Sequence, residues 1–353
     1  MTQDISVSGF DVGGANVKAV RLKRSGRTED WRSASMPCEV WRDPGRLCEV
    51  LASLESQLDL AATEALGLTM TAELADSFRT KREGVAFVCQ AVGRAFPGQR
   101  ILLLDLAGQG WSPLAAAAAR PLDFAANNWM ASARYLALSH PDGVLVDVGS
   151  TTTDIIPIRG GRVEAGGLTD TDRLIRGELV YTGILRTNPN TVAKTIPIRG
   201  HACRTAAEQF ALMADAHLLL GHLAPDAYSC PTADGRGKTP TEASERLARV
   251  VCADAESLSP GQIRGMAVYL YERQLDQIAQ SLHQVLSART GSGPPLLLAA
   301  GSGAFLVKEL GRRLGLAVKA PLSPADPQAL EVLPALAAAS LLADHLQGGQ
   351  PCS

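Results

Sequence analysis

The chain has 353 residues, of which 46% are apolar, and its 34 basic and 36 acidic side chains nearly cancel. That length can bury two cores of ordinary domain size, and the charge balance leaves no broad field to attract nucleic acid or an anionic membrane surface. The segment Met1 to Asp11 lacks a basic start and an apolar run, no later stretch stays apolar for the roughly 18 residues of a spanning helix, and seven cysteines form no CxxC pair. The expectation is a soluble, unprocessed cytoplasmic protein with reduced thiols.

In chain order, Val7 to Val12 reads as a short strand, and apolar alternation resumes at Val17 to Leu22 after Gly13-Gly14-Ala15-Asn16, giving a hairpin with a glycine turn. Apolar residues between Asp43 and Leu66 recur at helical spacing, and Leu68 to Thr71 looks like a buried strand. A helix is predicted over Lys81 to Ala95, then a strand from Arg100 to Asp105 and a helical region from Asn127 to Leu138. A boundary near Ala125 divides the chain into lobes at 1–125 and 126–353. The second half opens with the strand Gly143 to Val148, the turn Gly149 to Asp154, the strand Ile155 to Ile158 and the turn Arg159-Gly160-Gly161, repeating the opening hairpin. Helices are predicted over Thr205 to Leu223 and Pro260 to Ala288, a buried strand over Pro295 to Ala300, and an alanine-rich helix from Ala329 to Leu346. Asp226 to Thr241, rich in Pro, Gly, Thr and Asp, reads as a surface loop.

The chemistry is concentrated in two modules, Phe10-Asp11-Val12-Gly13-Gly14-Ala15-Asn16-Val17-Lys18 and Val146-Asp147-Val148-Gly149-Ser150-Thr151-Thr152-Thr153-Asp154. Each apolar strand delivers one aspartate to a turn of small residues. Glycine lets backbone N–H groups converge on an anion, hydroxyls add donors, and an aspartate can hold hydrated Mg²⁺ that bridges phosphate oxygens. One such turn is also what an ordinary hairpin wants, but a second copy roughly 135 residues later points to a pair of turns that clamp phosphate. Rossmann and Walker loops fit worse, because they lead into a helix and here a strand follows. A third element, Leu296 to Ala300 running into Gly301-Ser302-Gly303 and a helix through Leu314, suits a tight strand-to-helix turn or the approach of a nucleotide or anion to a helix amino terminus.

In this order the three elements resemble the phosphate-one, phosphate-two and adenosine motifs of the actin, Hsp70 and sugar-kinase superfamily. The resemblance implies an α/β, actin-like (RNase H-like) ATPase fold of two lobes with a central cleft. The block Leu68 to Phe78, followed by Lys81 and Glu83-Gly84-Val85, is similar to the hydantoinase and oxoprolinase branch. Within that branch, Gly177 to Gly183 and Ala233-Asp234-Gly235-Arg236 resemble the proteins of tetrahydromethanopterin-linked one-carbon transfer, including the ether synthases of methanofuran biosynthesis. That narrower resemblance implies condensation of an aminomethylfuran-methyl diphosphate with the phenol oxygen of tyramine or tyrosine, with release of pyrophosphate. The superfamily motifs alone would equally suit an ATP-dependent small-molecule kinase or hydrolase, or a nucleotide-switched binding protein.

Under the resemblance, Asp11 and Asp147 contact Mg²⁺ through water, and Gly13, Gly14, Asn16, Gly149, Ser150, Thr151 and Thr152 line the diphosphate. Gly301, Ser302 and Gly303 form the third element. Lys18 supplies positive charge or faces solvent, and Asp154 accepts a proton or holds the second turn. Glu73, Asp76 and Lys81 are candidates for the amine or phenol side, against a plain reading as capping and surface pairing. In the charged run Asp170, Asp172, Arg173 and Arg176, Arg176 is a candidate for the diphosphate and a solvated helix start is the plainer expectation. His201 and Cys203, with His217, His222 and Cys230, match no compact zinc pattern. The expected partners are the two small molecules, and the sequence leaves open whether the chain also pairs with a second copy as a homo-oligomer.

Overall fold

The apolar runs become strands flanked by helices in the computed structural model, which describes residues 4–26, 28–108, 110–289, 293–323 and 327–348. The chain begins β1 (Ile5–Val12), β2 (Asn16–Ser25), β3 (Thr28–Pro37), α1 (Arg46–Leu58), β4 (Ala65–Met70), α2 (Lys81–Ala95), β5 (Ile101–Leu104), β6 (Trp111–Pro113), α3 (Leu114–Ala119) and α4 (Asn128–Ala137). It continues β7 (Gly143–Val148), β8 (Thr153–Arg159), β9 (Arg162–Val163), α5 (Asp170–Arg176), β10 (Leu179–Val180), α6 (Pro189–Val192), β11 (Thr195–Ile198), β12 (His201–Arg204) and α7 (Met213–Leu220). Last come α8 (Pro240–Arg249), α9 (Pro260–Ser287), β13 (Leu297–Ala300), α10 (Ala304–Leu314), β14 (Val318–Lys319), α11 (Pro327–Glu331) and α12 (Leu333–Leu346). Among the described residues no helix is long and apolar enough to cross a membrane.

Packing groups the chain into two compact units that interleave in sequence: Met1–Gly143 with Ile158–Asp172 and Pro321–Ser353, and Val144–Pro157 with Arg173–Ala320. The expectation of lobes at 1–125 and 126–353 cuts the chain once, whereas here its end returns to the first unit. The reason is α12: a helix apolar on every side must be buried, and Leu333 through Ala343 all are. It lies on the sheet where β1 and β4 carry glycine, since a Cβ on Gly9 would stand 2.6 Å from the Ala339 nitrogen and one on Gly67 would stand 3.0 Å from the Ala338 oxygen.

In the first unit the sheet order is β3-β2-β1-β4-β5-β6, with β1, β4 and β5 parallel. Residues of alternating parity on β1 feed different layers. Phe10 and Val12 pack with Leu47, Leu51 and Leu54 of α1 and Val85, Val88 and Val92 of α2, while Ile5 and Val7 pack with Ala335, Leu336 and Ala339 of α12. The second unit has the order β10-β8-β7-β13-β14, and β7 and β13 are parallel. Val144, Val146 and Val148 pack there with Leu275, Ile278 and Leu282 of α9 and Leu306, Val307 and Leu310 of α10.

Two expectations need correction. The helix foreseen over Thr205 to Leu223 is only Met213–Leu220, because the Asp215 carboxylate accepts from the Leu212 N–H and starts the helix there. The charged run does begin a helix, but Arg173 is 2% exposed rather than solvated. The loop foreseen from Asp226 stays irregular as far as Thr239, whose side chain caps α8. The six described cysteines are free thiols, and Cys352 lies outside the described residues.

Candidate functional site

The two aspartate turns close with the same bond. Gly13 N–H donates to the Asn16 carbonyl (3.0 Å), and Gly149 N–H donates to the Thr152 carbonyl (2.9 Å). In each, a parallel neighbour lies beside the aspartate strand: Asp11 is in register with Thr69 of β4, and Asp147 with Ala300 of β13. Both turns therefore stand at the carboxyl ends of parallel strands, where open α/β sheets take ligands.

In the first unit, Asp11 is 4% exposed and sits opposite Lys18 on the antiparallel partner strand, with Lys18 Nζ 3.9 Å from Asp11 Oδ2. Lys18 is thus on the aspartate side, not turned fully to solvent. The turn is braced from outside: Thr71 N–H donates to the Val12 carbonyl, Val40 N–H to Gly14, and Cys38 N–H to Ala15. A Cβ at Gly13 would come 2.9 Å from the Asn16 oxygen, whereas one at Gly14 would meet nothing within 4 Å. Gly14 therefore leaves open space at the turn surface.

The second turn is held by a segment the sequence did not single out as functional. Ile184 N–H donates to the Gly149 carbonyl, and Leu185 and Arg186 N–H groups donate to the Ser150 carbonyl. Gly183 is the tight point, because a Cβ there would lie 2.5 Å from Thr151 N and 2.6 Å from Gly149 O. Gln274 supports this segment by donating from Nε2 to the Gly183 carbonyl (2.9 Å) and to Thr182 Oγ1 (3.0 Å). Its Oε1 accepts from His217 Nε2, so the other His217 nitrogen is the acceptor facing His222 Nδ1. Burial pushes His217 down to about 4 and keeps it neutral.

Gly301 and Gly303 also serve this turn. Gly301 has φ +75, its missing Cβ would strike Asp147 Oδ1 and the Val148 carbonyl, and Gly303 N–H donates to the Val148 carbonyl at 2.8 Å. Ser302, between them, is exposed. Asp154 is in an ion pair with Arg173 (2.6 Å), and Arg173 also donates to the Glu178 carbonyl, so this carboxylate ties β8 to the segment around β10. Arg176 is exposed on α5.

Glu73, Asp76 and Lys81 separate into different environments. Asp76 is exposed. Lys81 Nζ is 2.7 Å from Asp170 Oδ2, the two side chains being 28% and 20% exposed. Glu73 is 1% exposed in the turn after β4, and neither carboxylate oxygen has a hydrogen bond of good geometry. Burial pushes it up to about 7, against the smaller pull of its own N–H, of Lys81 and of the Ala126 N–H. Asn127 fixes the chain next to Ala126 by accepting from Met70 N–H (2.9 Å) and donating to the Leu104 carbonyl (2.5 Å).

Asp11 and Asp147 present hard oxygen donors beside small turn residues, which fits Mg²⁺, an ion that keeps several of its waters. Among the described residues no group of three or more His, Cys, Asp or Glu side chains is arranged to hold a metal, so a metal at either turn would rest on one carboxylate and water. His201 is exposed and Cys203 half-buried on the β11–β12 hairpin.

Comparison with known proteins agrees with the geometry. A solved acetone carboxylase, titled as a nucleotide-free structure in a study of ATP-dependent acetone carboxylation, superposes with a TM-score of 0.55 at 11% identity, over 89% of this chain and 68% of that one. It shares the fold, which is α/β of the actin-like class. A protein of Methanocaldococcus jannaschii named (4-{4-[2-(gamma-L-glutamylamino)ethyl]phenoxymethyl}furan-2-yl)methanamine synthase is 35% identical over 282 residues, covering 80% of this chain and 82% of the relative. A protein of the same name from Methanococcus vannielii is 34% identical over 142 residues, 40% of this chain and 64% of that one. The family model for hydantoinase/oxoprolinase matches residues 64–345, a span that takes in the second turn, its Gly183 brace and the Gly301–Gly303 contact, and the chain belongs to the hydantoinase/oxoprolinase family.

Proposed function

We propose that this enzyme joins an aminomethylfuran bearing a methyl diphosphate to the phenol oxygen of tyramine, a γ-glutamyl tyramine or tyrosine, forming an aryl alkyl ether and releasing pyrophosphate. The observation that carries this reading is the likeness, over four-fifths of the chain, to a synthase whose name describes a phenoxymethyl-furan product. The two closed aspartate turns support it, because the reaction needs a place for a diphosphate leaving group.

In the reaction the phenol oxygen forms a bond to the furan CH₂ carbon as the carbon–oxygen bond to diphosphate breaks, and the electron pair leaves with pyrophosphate. Mg²⁺, when bound, would neutralise charge growing on that leaving group. Each aspartate turn offers N–H groups, and the second adds the hydroxyls of Ser150, Thr151 and Thr152, all of a kind that binds and orients a diphosphate. Lys18, close to Asp11, adds positive charge at the first turn. The electron-rich furan tolerates positive charge at its CH₂, so rate depends on leaving-group stabilisation and on placing the phenol. Both substrates are small molecules, and the reading is of a cytoplasmic enzyme.

Titration calorimetry with Mg²⁺–pyrophosphate and with Mg²⁺–ATP, on the wild type and on Asp11→Ala and Asp147→Ala, tests this. Tight pyrophosphate binding lost in both variants, with little ATP binding, is expected. Strong ATP binding, with no pyrophosphate released from the furan diphosphate and any phenol, would return the chain to a kinase or hydrolase reading.

A further inference from the structure

We propose that Glu73 is the base that takes the phenolic proton as the ether bond forms. The proposal rests on the transferase reading above and adds the residue that completes its proton balance.

Position is the first argument. Glu73 follows β4 by three residues, and β4 is the strand that runs beside Asp11, with Thr71 N–H bonded to Val12 at the base of the first turn. A diphosphate at Asp11 and a hydroxyl at Glu73 are therefore both served from the carboxyl end of one sheet within one unit.

Isolation is the second. Among the described residues, the backbone donors near the buried Glu73 carboxylate are its own N–H and that of Ala126, neither in good hydrogen-bond geometry. Burying a carboxylate so poorly satisfied is costly and is found where the group has a use or a missing partner. The cation that senses it, Lys81, is already paired with Asp170 at 2.7 Å, so Glu73 is not explained as half of a salt bridge. A phenol O–H entering here supplies the missing donor.

Construction is the third. Gly84 of α2 lies so close to the Glu73 backbone that a Cβ would stand 2.5 Å from Glu73 Cα, so the turn is seated on the helix through a glycine. On the opposite side Ala126 holds φ +50, a left-handed conformation unusual for alanine, with its N–H toward the carboxylate. Asn127 locks that backbone to β4 and β5. The accessible members of the group are Lys81 and Asp170, and the acceptor reaches Glu73 along their side.

The proton balance then closes: the phenol O–H bond breaks as the O–CH₂ bond forms, the proton passes to the Glu73 carboxylate and later to water, and the diphosphate departs with its electron pair. A carboxylate pushed up to about 7 by burial suits this task near neutral pH.

The test is Glu73→Gln in the full chain, assayed for pyrophosphate release with tyramine and with a ring-tetrafluorinated tyramine whose phenol is largely ionised at neutral pH. Melting temperature and Mg²⁺–pyrophosphate binding serve as controls for the fold. With tyramine, kcat should fall by about 10²–10⁴-fold, while with the ionised phenol the loss should shrink to tenfold or less. Glu73→Asp should recover part of the tyramine rate. Unchanged kcat with tyramine, or an equal loss with both phenols, would overturn the role. If the wild type releases no pyrophosphate with either phenol, the transferase reading falls and takes this proposal with it.

Discussion

Replacing Glu73 by glutamine should change how stability depends on pH, whatever the enzyme's substrate. In the folded chain burial raises this carboxyl from an ordinary 4.5 to about 7. Between those values the native state holds a proton that the unfolded state has lost, so stability falls as pH rises through this window and stays lower above it. Each tenfold change in proton affinity corresponds to about 1.4 kcal/mol, so the ionised Glu73 costs about 3 kcal/mol above pH 7. Glutamine has nearly the same shape and does not ionise, so it removes this slope. Its amide must still find partners, which adds an offset of about 1–3 kcal/mol that does not vary with pH. The groups facing Glu73 are Lys81 of α2, Asp170 at the start of α5 and the Ala126 N–H, and all remain in the variant. Urea unfolding of both proteins at intervals from pH 4.5 to 8.5 gives the difference in stability directly. That difference should move toward the variant by about 3 kcal/mol across the range. A constant difference would show that Glu73 is already charged in the folded chain at acid pH, and the argument from its burial would fail.

Gly183→Ala should weaken Mg²⁺–pyrophosphate binding by tenfold or more and lower stability by about 1–3 kcal/mol, because its methyl would press on the backbone of Gly149 and Thr151. Calorimetry and thermal melting read the two effects. Gly14→Ala should leave melting almost unchanged, since a Cβ there meets nothing within 4 Å, yet still weaken pyrophosphate binding if the anion approaches that backbone; unchanged affinity would remove Gly14 from the site. His217, held down to about 4 by burial, acts opposite to Glu73. Its folded value lies below its ordinary 6.5, so stability is full above that pH and falls by about 3 kcal/mol as pH drops toward 4. His217→Asn should flatten the acid limb in urea unfolding, and an unaltered limb would show that His217 takes up its proton without cost.

Much of the fold was legible because it repeats a local pattern. An aspartate at the end of an apolar strand, a small-residue turn and a second strand identify each module by themselves, and the structure gives both turns the same closing bond. The parallel strands were legible as apolar runs for the same reason. What escaped was long-range. Gly183 closes the block Gly177 to Gly183 that carried a family resemblance, but that the backbone of the second turn passes against it, leaving no room for a Cβ, is a long-range fact that its local sequence does not show. Gln274 reads as one polar residue on a long helix, yet it is buried and holds Gly183 and Thr182 across nearly a hundred residues of chain. Arg173 looked like a solvated charge, but its partner is Asp154 on a strand that sequence spacing does not place beside it. Glu73 was legible as a candidate, whereas its lack of partners depends on how α2 and Ala126 close around it.

The two turns share a sequence pattern but not a foundation, and that difference decides where each is vulnerable. The first is braced by its sheet neighbour at Thr71 and by the chain at Cys38 and Val40, all through backbone bonds that do not depend on side-chain identity. Substitution of the bracing side chains should therefore leave the turn's path largely intact. The second depends on residues whose identity matters: Gly183 and Gly301 because only glycine fits, and Gln274 because its amide both donates and accepts. Within the motifs the order reverses, since Gly14 is open and a Cβ at Gly149 would make an ordinary 3.5 Å contact with Thr152 O. Glycine at those two places is not needed to build the turn. Under the proposed function, glycine there would let a ligand come close to the backbone, so the open positions, more than the crowded ones, are the places where an added methyl should reduce anion binding without disturbing the fold.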